Sequence, residues 1–241
     1  MQLLAAKNMS ADISSADFCV LSHGHYDHSG GFAEYLRQNP SKKIYAMKTI
    51  TDEYYSASGG TLHSIGVPNE VYPNFNDNFV LLDETRKISD GIYVISHNIH
   101  VDLSKIGQRA KLYKKVEDEY TPDDFSHELS LVFDTDKGLV IFNSCSHSGI
   151  VNIIDEVKEY LGPDKKVAAF VGGLHMKGKS GDREICTFTE KEIGKMVKYL
   201  EENNVKKLYT GHCTGIVGYE LIKKYMTDKV EYIYTGKEIV L

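Results

Sequence analysis

The 241 residues of the chain are enough for one large domain or two small ones, since domains usually contain roughly 100–200 residues. A hydrophobic fraction of 41% is ordinary for a globular protein with a sizeable core. A net charge of −6 argues against a nucleic-acid binder with a broadly basic face, and no apolar run approaches the roughly 18–20 residues of a membrane span. The first residues also lack the apolar core of a signal peptide, so the expected compartment is the cytoplasm.

Predicted elements of the first half follow one another as strand, helix and three further strands. The run "DFCVLS" predicts a buried strand, and "GGFAEYLRQN" predicts a helix with Phe32, Tyr35 and Leu36 on one face. Three short apolar runs between Gly, Asn, Asp and Pro residues predict the strands "KKIYAM", "NFVLLD" and "GIYVISH". From about residue 100 to 127 the chain is dense in charge, which is typical either of a solvated surface insertion or of a lid over a site.

The second half has an alternating strand and helix pattern after one hairpin. "ELSLVFDTDKGLVIFNSCSH" predicts the hairpin, with its turn at "DTDKG". A helix from about Gly149 to Leu161 follows, then the strand "KVAAFVGG" and a helix with a capping box at Thr189 and Glu192. The strand "KKLYTGH", the helix "GYELIKKYM" and the strand-like runs "VEYIYTG" and "EIVL" end the chain. No linker or repeat interrupts this order, so the prediction is a single domain over residues 1–241.

Histidines crowd the segment that follows the first predicted strand. In "LSHGHYDHSGG", His23, His25, Asp27 and His28 fall within six positions. A lone loop histidine is usually a plain surface residue, but imidazole and carboxylate together are the ligands that Zn²⁺ and similar ions prefer. Gly24 leaves room for the backbone to bend tightly between the first two. The cluster therefore predicts a metal site.

Other histidines stand at the ends of later predicted strands. "VIFNSCSH" and "LYTGH" end on His147 and His212, and "AFVGGLH" ends on His175. Together with the earlier run "FCVLSHGH", these strand ends are expected to bring their histidines to one rim of a sheet, where rigid elements hold them in place. The four cysteines, Cys19, Cys145, Cys186 and Cys213, include no CxxC pair and are expected to be free thiols. A position close to the metal site is the alternative for Cys145 and Cys213, which lie next to histidines in sequence.

These motifs resemble the metallo-β-lactamase superfamily. "HGHYDH" is similar to its HxHxDH signature, and His147 and His212 resemble the histidines of its later motifs. "VLSHGHYDHSGGF", "SCSHSGIVNII", "VGGLHMKG" and "GHCTG" together look like a branch of metal-dependent hydrolases. That branch includes the archaeal dihydropterin–ribofuranosylaminobenzene phosphate synthase of methanopterin assembly. The resemblance covers nearly the whole chain and implies an α/β fold, the αββα four-layer sandwich.

The resemblance also implies a two-metal site. Carried over position by position, it assigns His23, His25 and His147 to one ion, and Asp27, His28 and His212 to the other. The implied ions are zinc, with manganese, iron or cobalt as alternatives. In such a site a metal pair generates hydroxide from water at neutral pH, and Asp27 would also orient this nucleophile.

Two departures from the family pattern affect this assignment. The aspartate that bridges both ions in many members has no well-placed counterpart, because Asp155 lies in a predicted helix and Asp164 follows a Gly-Pro stop. His175 stands at about the right place in the order and is expected to bind metal, contact substrate or act as a general acid. The family also has strands before the first histidine motif, so about fifty residues are expected to be missing, and an exposed edge strand favours a homodimer.

Residues with less specific signals complete the list of candidates. Lys177, Lys179 and Arg183 in "MKGKSGDRE" suit either a phosphate-binding loop or a solvated charged loop. Glu128 in "DDFSHELS" is read either as a contact to a pterin-like ring or as a surface acid, and His127 departs from the Asp-Glu of the branch. His63, His97 and His100 are expected at the surface.

Three functions remain open at this point. The first is a two-metal hydrolase acting on a small anionic ester, lactone or phosphodiester. The second is a metal-dependent transferase that joins a dihydropterin diphosphate to an aminobenzene ribotide. The third is a non-enzymatic metal-binding protein, which the shortened front would favour. Nucleic acid is not an expected partner, since no basic arm is evident.

Overall fold

A computed structural model describes residues 12–97 and 110–240. The described strands, in chain order, are β1 (Cys19–Val20), β2 (Ile44–Met47), β3 (Glu53–Ser56), β4 (His63–Ser64), β5 (Phe79–Leu82), β6 (Arg86–Ser89), β7 (Ile92–Ser96), β8 (Leu112–Val116), β9 (Glu119–Pro122), β10 (Leu129–Thr135), β11 (Gly138–Phe142), β12 (Val167–Val171), β13 (Lys177–Ser180), β14 (Arg183–Cys186), β15 (Leu208–Thr210) and β16 (Val230–Tyr232). The described α-helices are α1 (Tyr26–Ser29), α2 (Phe32–Gln38), α3 (Ile150–Leu161), α4 (Glu190–Glu202) and α5 (Gly215–Met226).

The chain divides into two compact units. The first comprises Met1–Arg86 and Ser96–Leu129, and the second comprises Lys87–Ile95 and Ser130–Leu241. The boundaries follow the first residue of β6, Arg86, precede the last residue of β7, Ser96, and follow the first residue of β10, Leu129. That the whole chain forms one domain stays a prediction.

The first unit contains two small sheets. β1, β2 and β5 form a parallel sheet in the order β1-β2-β5, and its apolar core includes Leu21, Leu36 and Ile44, all 1% exposed or less. The second sheet is antiparallel, in the order β4-β3-β8-β9, and is built around the buried rings of Tyr54 and Phe125. The first sheet delivers its C-terminal end directly into the histidine-rich segment.

The charged segment predicted as an insertion or a lid takes part in this second sheet. Its described part, from residue 110, contributes β8 and β9, which pair with each other and with β3. Lys114 lies 2.9 Å from Asp52, and Lys115 lies 3.5 Å from Glu53. Opposite charges on paired strands explain why so polar a run still forms regular structure. Its remaining part, up to residue 109, lies outside the described residues.

The second unit is organised around a seven-stranded sheet in the order β16-β15-β12-β11-β10-β7-β6. The hairpin β10–β11 is antiparallel, whereas β11, β12, β15 and β16 run parallel. The apolar sides of α3, α4 and α5 pack on one face of this sheet, in a core that includes Phe170, Ile153 and Leu200. The Thr189–Glu192 capping box opens α4 as predicted.

Most predicted elements are confirmed, with boundaries shifted by a few residues. Two expectations differ: "EIVL" forms no strand over its described residues 238–240, and the charged segment from Met176 to Glu184 forms the hairpin β13–β14 instead of an irregular loop. Among the described residues, no helix combines the length and the apolar character needed to cross a membrane.

Candidate metal centre

The turn after β1 brings three imidazoles together in the first unit. His23 and His25 are buried, with 0% and 6% of their surface exposed, and His28 follows on the short helix α1. The ring centroid of His23 lies 4.7 Å from that of His25 and 4.3 Å from that of His28. Ser22 Oγ lies 2.9 Å from His23 Nδ1, within hydrogen-bond distance, and so helps to fix this ring.

Asp27 supplies the carboxylate of this turn. Its side chain is 45% exposed, and its Oδ2 lies 3.5 Å from His28 Nε2. The structure therefore groups Asp27 with the histidines of its own motif, as the sequence predicts. Its assignment as a metal ligand and as the residue that orients the nucleophile stays a prediction.

A second polar layer lies under the same turn. Asp123 and His127 are both fully buried, and the Gly24 amide donates to His127 Nδ1 over 2.9 Å. Burial is the largest effect on His25 and lowers its pKa to about 4, against the opposing pull of Asp123. His25 is therefore a neutral imidazole at pH 7, which is the form that binds a metal ion.

The other three candidate histidines belong to the second unit. His147, His175 and His212 follow β11, β12 and β15, which are adjacent parallel strands of one sheet, as predicted. The strand before His23, β1, belongs to a different sheet, so the expectation of one shared sheet rim is wrong for it. The rings of His147 and His175 lie 4.5 Å apart between centroids. His175 has a positive φ of 48°, an uncommon conformation for a non-glycine residue.

Hydrogen bonds fix the loop that carries His147. Asn143 Oδ1 accepts from the Ser146 amide over 2.7 Å and from the Cys145 amide over 3.3 Å. Ser146 Oγ donates to the Gly173 carbonyl over 2.7 Å, which ties this loop to the one leading to His175. His147 is thereby held in a buried loop, 3% exposed.

The thiols of Cys145 and Cys213 lie beside His212. This agrees with the alternative prediction that these two cysteines are close to the candidate metal site. One donor atom from each of Cys145, His212 and Cys213 lies within 4.8 Å of the others. Cys145 Sγ is 3.7 Å from His212 Nδ1, and the His175 amide donates to Cys213 Sγ over 3.3 Å. A hydrogen bond from Cys145 is the largest cause that lowers the pKa of Cys213 well below the usual value of a thiol, and burial opposes it.

We expect Cys213 in the metal-free protein to keep its thiolate to lower pH than Cys19. Because its pKa is lowered, the anion forms below the ordinary thiol range, whereas burial raises the pKa of Cys19. Absorbance at 240 nm measures the thiolate during a pH titration. Cys213→Ser should remove the part of the signal that persists below the ordinary thiol range, and the matched variant Cys19→Ser should leave it. Identical titration curves for the wild type and Cys213→Ser would contradict this.

The remaining predicted residues take varied places. Lys177 is paired with Glu184 at 3.2 Å, which compensates its charge, and Lys179 is exposed on the hairpin. Glu128 is fully buried, so its reading as a surface acid is wrong. His63 is exposed as expected, but His97 is 3% exposed and contradicts the expectation, while His100 lies outside the described residues.

The sequence predicts that neither Asp155 nor Asp164 bridges the two ions, and the structure agrees with that prediction. Asp155 on α3 accepts a hydrogen bond from the Tyr199 hydroxyl of α4, and Asp164 lies exposed in the turn after α3. Neither is among the groups of potential ligand atoms found in the described residues.

The sequence patterns did not identify Asp123 as a buried residue of this site, and they marked His127 only as a departure from a family pattern. His127 is 103 positions from Gly24, to which it is hydrogen-bonded, so no local pattern could reveal the contact. The one available signal was an acid and a histidine four residues apart in "DDFSH", which is weak by itself.

The donor chemistry of both units suits a divalent metal ion. The first unit offers imidazoles and a carboxylate, and the second offers imidazoles and thiols. These are the groups that zinc and the neighbouring transition metals prefer. The residues present therefore fit the metal that the resemblance implies.

Two proteins of known sequence are similar to this chain over most of its length. No protein-family model matches the chain. It is 28% identical over 247 aligned residues to the 7,8-dihydropterin-6-methyl-4-(β-D-ribofuranosyl)-aminobenzene-5'-phosphate synthase of Methanocaldococcus jannaschii, covering 98% of this chain and 79% of that protein. An uncharacterized protein of the same organism is 27% identical over 230 residues, covering 92% of this chain and 78% of the relative.

Two solved structures extend the comparison. Tm1679, described as a metal-dependent hydrolase of the β-lactamase superfamily, superposes with a TM-score of 0.78 at 27% identity, covering 99% of this chain and 84% of that one. A mutant of CmlA β-hydroxylase gives a TM-score of 0.56 at 13% identity, covering 94% of this chain and 44% of that one, a likeness of fold alone.

Proposed function

From the metallo-β-lactamase-like fold of the chain and the resemblance of its histidine motif to that superfamily, we propose that the protein is a metal-dependent hydrolase of a small anionic ester, lactone or phosphodiester. One observation carries the proposal: the turn after β1 packs the imidazoles of His23, His25 and His28 together, two of them buried. Burial of His23 and His25 favours their neutral form, which is the form of imidazole that binds a metal ion.

The proposed ligands are those implied by the resemblance: His23, His25, Asp27 and His28 from the first unit, and His147, His212 and His175 from the second. Bound as a pair, divalent ions such as zinc would polarise the substrate oxygen and activate water. The protein's own contribution is to hold the rings in fixed orientations, for example through Ser22 at His23 and through Asn143 at the loop of His147.

Proton transfer and substrate binding are assigned to a few further side chains. We assign Asp27 to orientation of the attacking water, because its carboxylate is partly exposed and lies beside His28. His175 is the proposed general acid if it does not bind metal, since its ring packs against that of His147. Lys179 is the proposed substrate contact, and Lys177 is a weaker one because of its pairing with Glu184. The full burial of Glu128 counts against a substrate contact by this residue.

The similarity to the synthase favours a second candidate, a transferase. That relative matches 98% of the chain. A transferase of this kind would join a dihydropterin diphosphate to an aminobenzene ribotide and release pyrophosphate.

An assay on metal-loaded protein separates these functions. The hydrolase predicts turnover of phosphodiesters, phosphate esters or lactones alone, lost after dialysis against a chelator and restored by one added metal. The transferase predicts pyrophosphate release only when both of its substrates are present. Protein that binds metal fully and is inert in both assays would overturn both proposals and favour a metal-binding role without catalysis.

A further inference from the structure

A buried chain of polar groups lies under the His23–Gly24–His25 turn, and the proposed function uses only one of its three members, His25. It consists of His25, Asp123 and His127, which are 6%, 0% and 0% exposed. Asp123 Oδ2 lies 3.2 Å from His127 Nε2 and 3.7 Å from His25 Nε2. All three residues belong to the first unit. Buried polar groups are costly unless they interact, and the contacts among these three residues offset that cost.

The backbone fixes where His127 carries its proton. The Gly24 amide can only donate, and it donates to His127 Nδ1 over 2.9 Å. Nδ1 must therefore be unprotonated, so a neutral ring carries its hydrogen on Nε2. That nitrogen faces Asp123 Oδ2 and donates to it. With both nitrogens committed in this way, His127 is not a metal ligand, although its atoms are close enough to those of His25 and Asp123 for one.

The carboxylate of Asp123 is held in place and also faces the ring of His25. Its Oδ1 accepts from the Phe125 amide over 2.8 Å, and Phe125 has a positive φ of 52°, uncommon for a large side chain. Its Oδ2 then faces His25 Nε2. At 3.7 Å this contact is longer than a hydrogen bond, but in a buried site the negative charge still favours an N–H over a lone pair at that nitrogen.

The ring of His127 is also held in one orientation by packing. The ring of Tyr54 lies against His127 with centroids 4.2 Å apart, and its hydroxyl donates to the Thr49 carbonyl over 2.7 Å. A Cβ at position 24 would lie 3.2 Å from Tyr54 Cε2, which is closer than ordinary contact. A side chain at position 24 would therefore press on the Tyr54 ring that packs against His127.

We propose that Asp123 and His127 are positioning residues that lock the His23–Gly24–His25 turn and hold the proton of His25 on Nε2, so that Nδ1 is the atom presented to metal. The part that concerns metal rests on the proposed function, whereas the placement of the protons does not. Partners of this kind orient ligand histidines, and their removal typically weakens metal affinity by about 10–100-fold.

Nitrogen NMR of the metal-free protein tests the proton placement directly. Long-range ¹H–¹⁵N spectra distinguish protonated from unprotonated ring nitrogens, and we expect His25 and His127 each to carry hydrogen on Nε2 alone. Asp123→Asn should give a mixture of tautomers at His25 and weaken zinc binding, measured by chelator competition, by about 10–100-fold. The matched control is Asp124→Asn, the neighbouring carboxylate, which is 56% exposed and should change neither.

Each outcome decides the inference. A proton on Nδ1 of His127 or of His25 in the wild type overturns it, and this reading needs no variant to fold. An Asp123→Asn variant that melts at lower temperature but keeps the His25 tautomer and zinc affinity reduces Asp123 to a structural role and also overturns it. If the wild type binds no metal, the proposed function fails, while the nitrogen spectra still decide the proton placement.

Discussion

Replacing His23 with alanine is expected to abolish most metal binding and to reduce turnover more than about 100-fold, beyond the loss typical of a residue that only supports a ligand. His23 is fully buried and its ring contacts those of His25 and His28. Removing its imidazole deletes one donor from the centre of this cluster. Plasma mass spectrometry of the purified protein measures ions per chain, and a chelator-sensitive assay measures turnover.

The matched control for this variant is His63→Ala. His63 lies exposed on β4 in the same unit, and its substitution should leave metal content and turnover unchanged. The same measurements on His147→Ala and His175→Ala test the ligands proposed in the second unit. Metal content that stays at the wild-type value in His23→Ala, with circular dichroism showing a folded chain, would contradict the ligand assignment.

Replacing Gly172 with alanine is expected to destabilise the protein by about 3 kcal/mol or more, from overpacking and backbone strain together. A Cβ at this position would lie 1.6 Å from the carbonyl oxygen of Asn143, and the φ of Gly172 is +155°. The backbones must therefore separate. Asn143 holds the loop of His147, so metal content should fall as well. Urea unfolding followed by circular dichroism measures the change in the free energy of unfolding.

Gly194→Ala provides the matched control for this substitution. Gly194 lies inside α4, and a Cβ there meets nothing within 4 Å. Alanine has the higher helix propensity, so this variant should be more stable by about 0.5–1 kcal/mol. A Gly172→Ala protein within about 1 kcal/mol of the wild type would show that the loop of Asn143 yields easily, contrary to the packing described.

Local sequence patterns were sufficient for most elements and for the principal histidines. The hairpin β10–β11, the capping box of α4 and the strand that leads to His23 all follow from periodicity, turn residues and caps, which act over a few residues. The motif "HGHYDH" identifies its own cluster because its members are neighbours in sequence. Apolar periodicity failed at β13 and β14, which carry mainly charged and small residues and, among the described strands, pair with each other alone.

Short-range patterns in the sequence thus predicted the alternation of strands and helices and the four candidate ligands at His23, His25, Asp27 and His28. The four-layer fold was implied by the resemblance of these motifs to a known superfamily. Only the tertiary structure decided that Asp123 and His127 lie under Gly24 and His25, that Glu128 is buried, and that Lys177 is paired with Glu184. One physical reason explains both the positions of Asp123 and His127 and the burial of Glu128. Contacts across a hundred residues, and the burial of a polar side chain, depend on how strands pair and pack, which no window of neighbouring residues records.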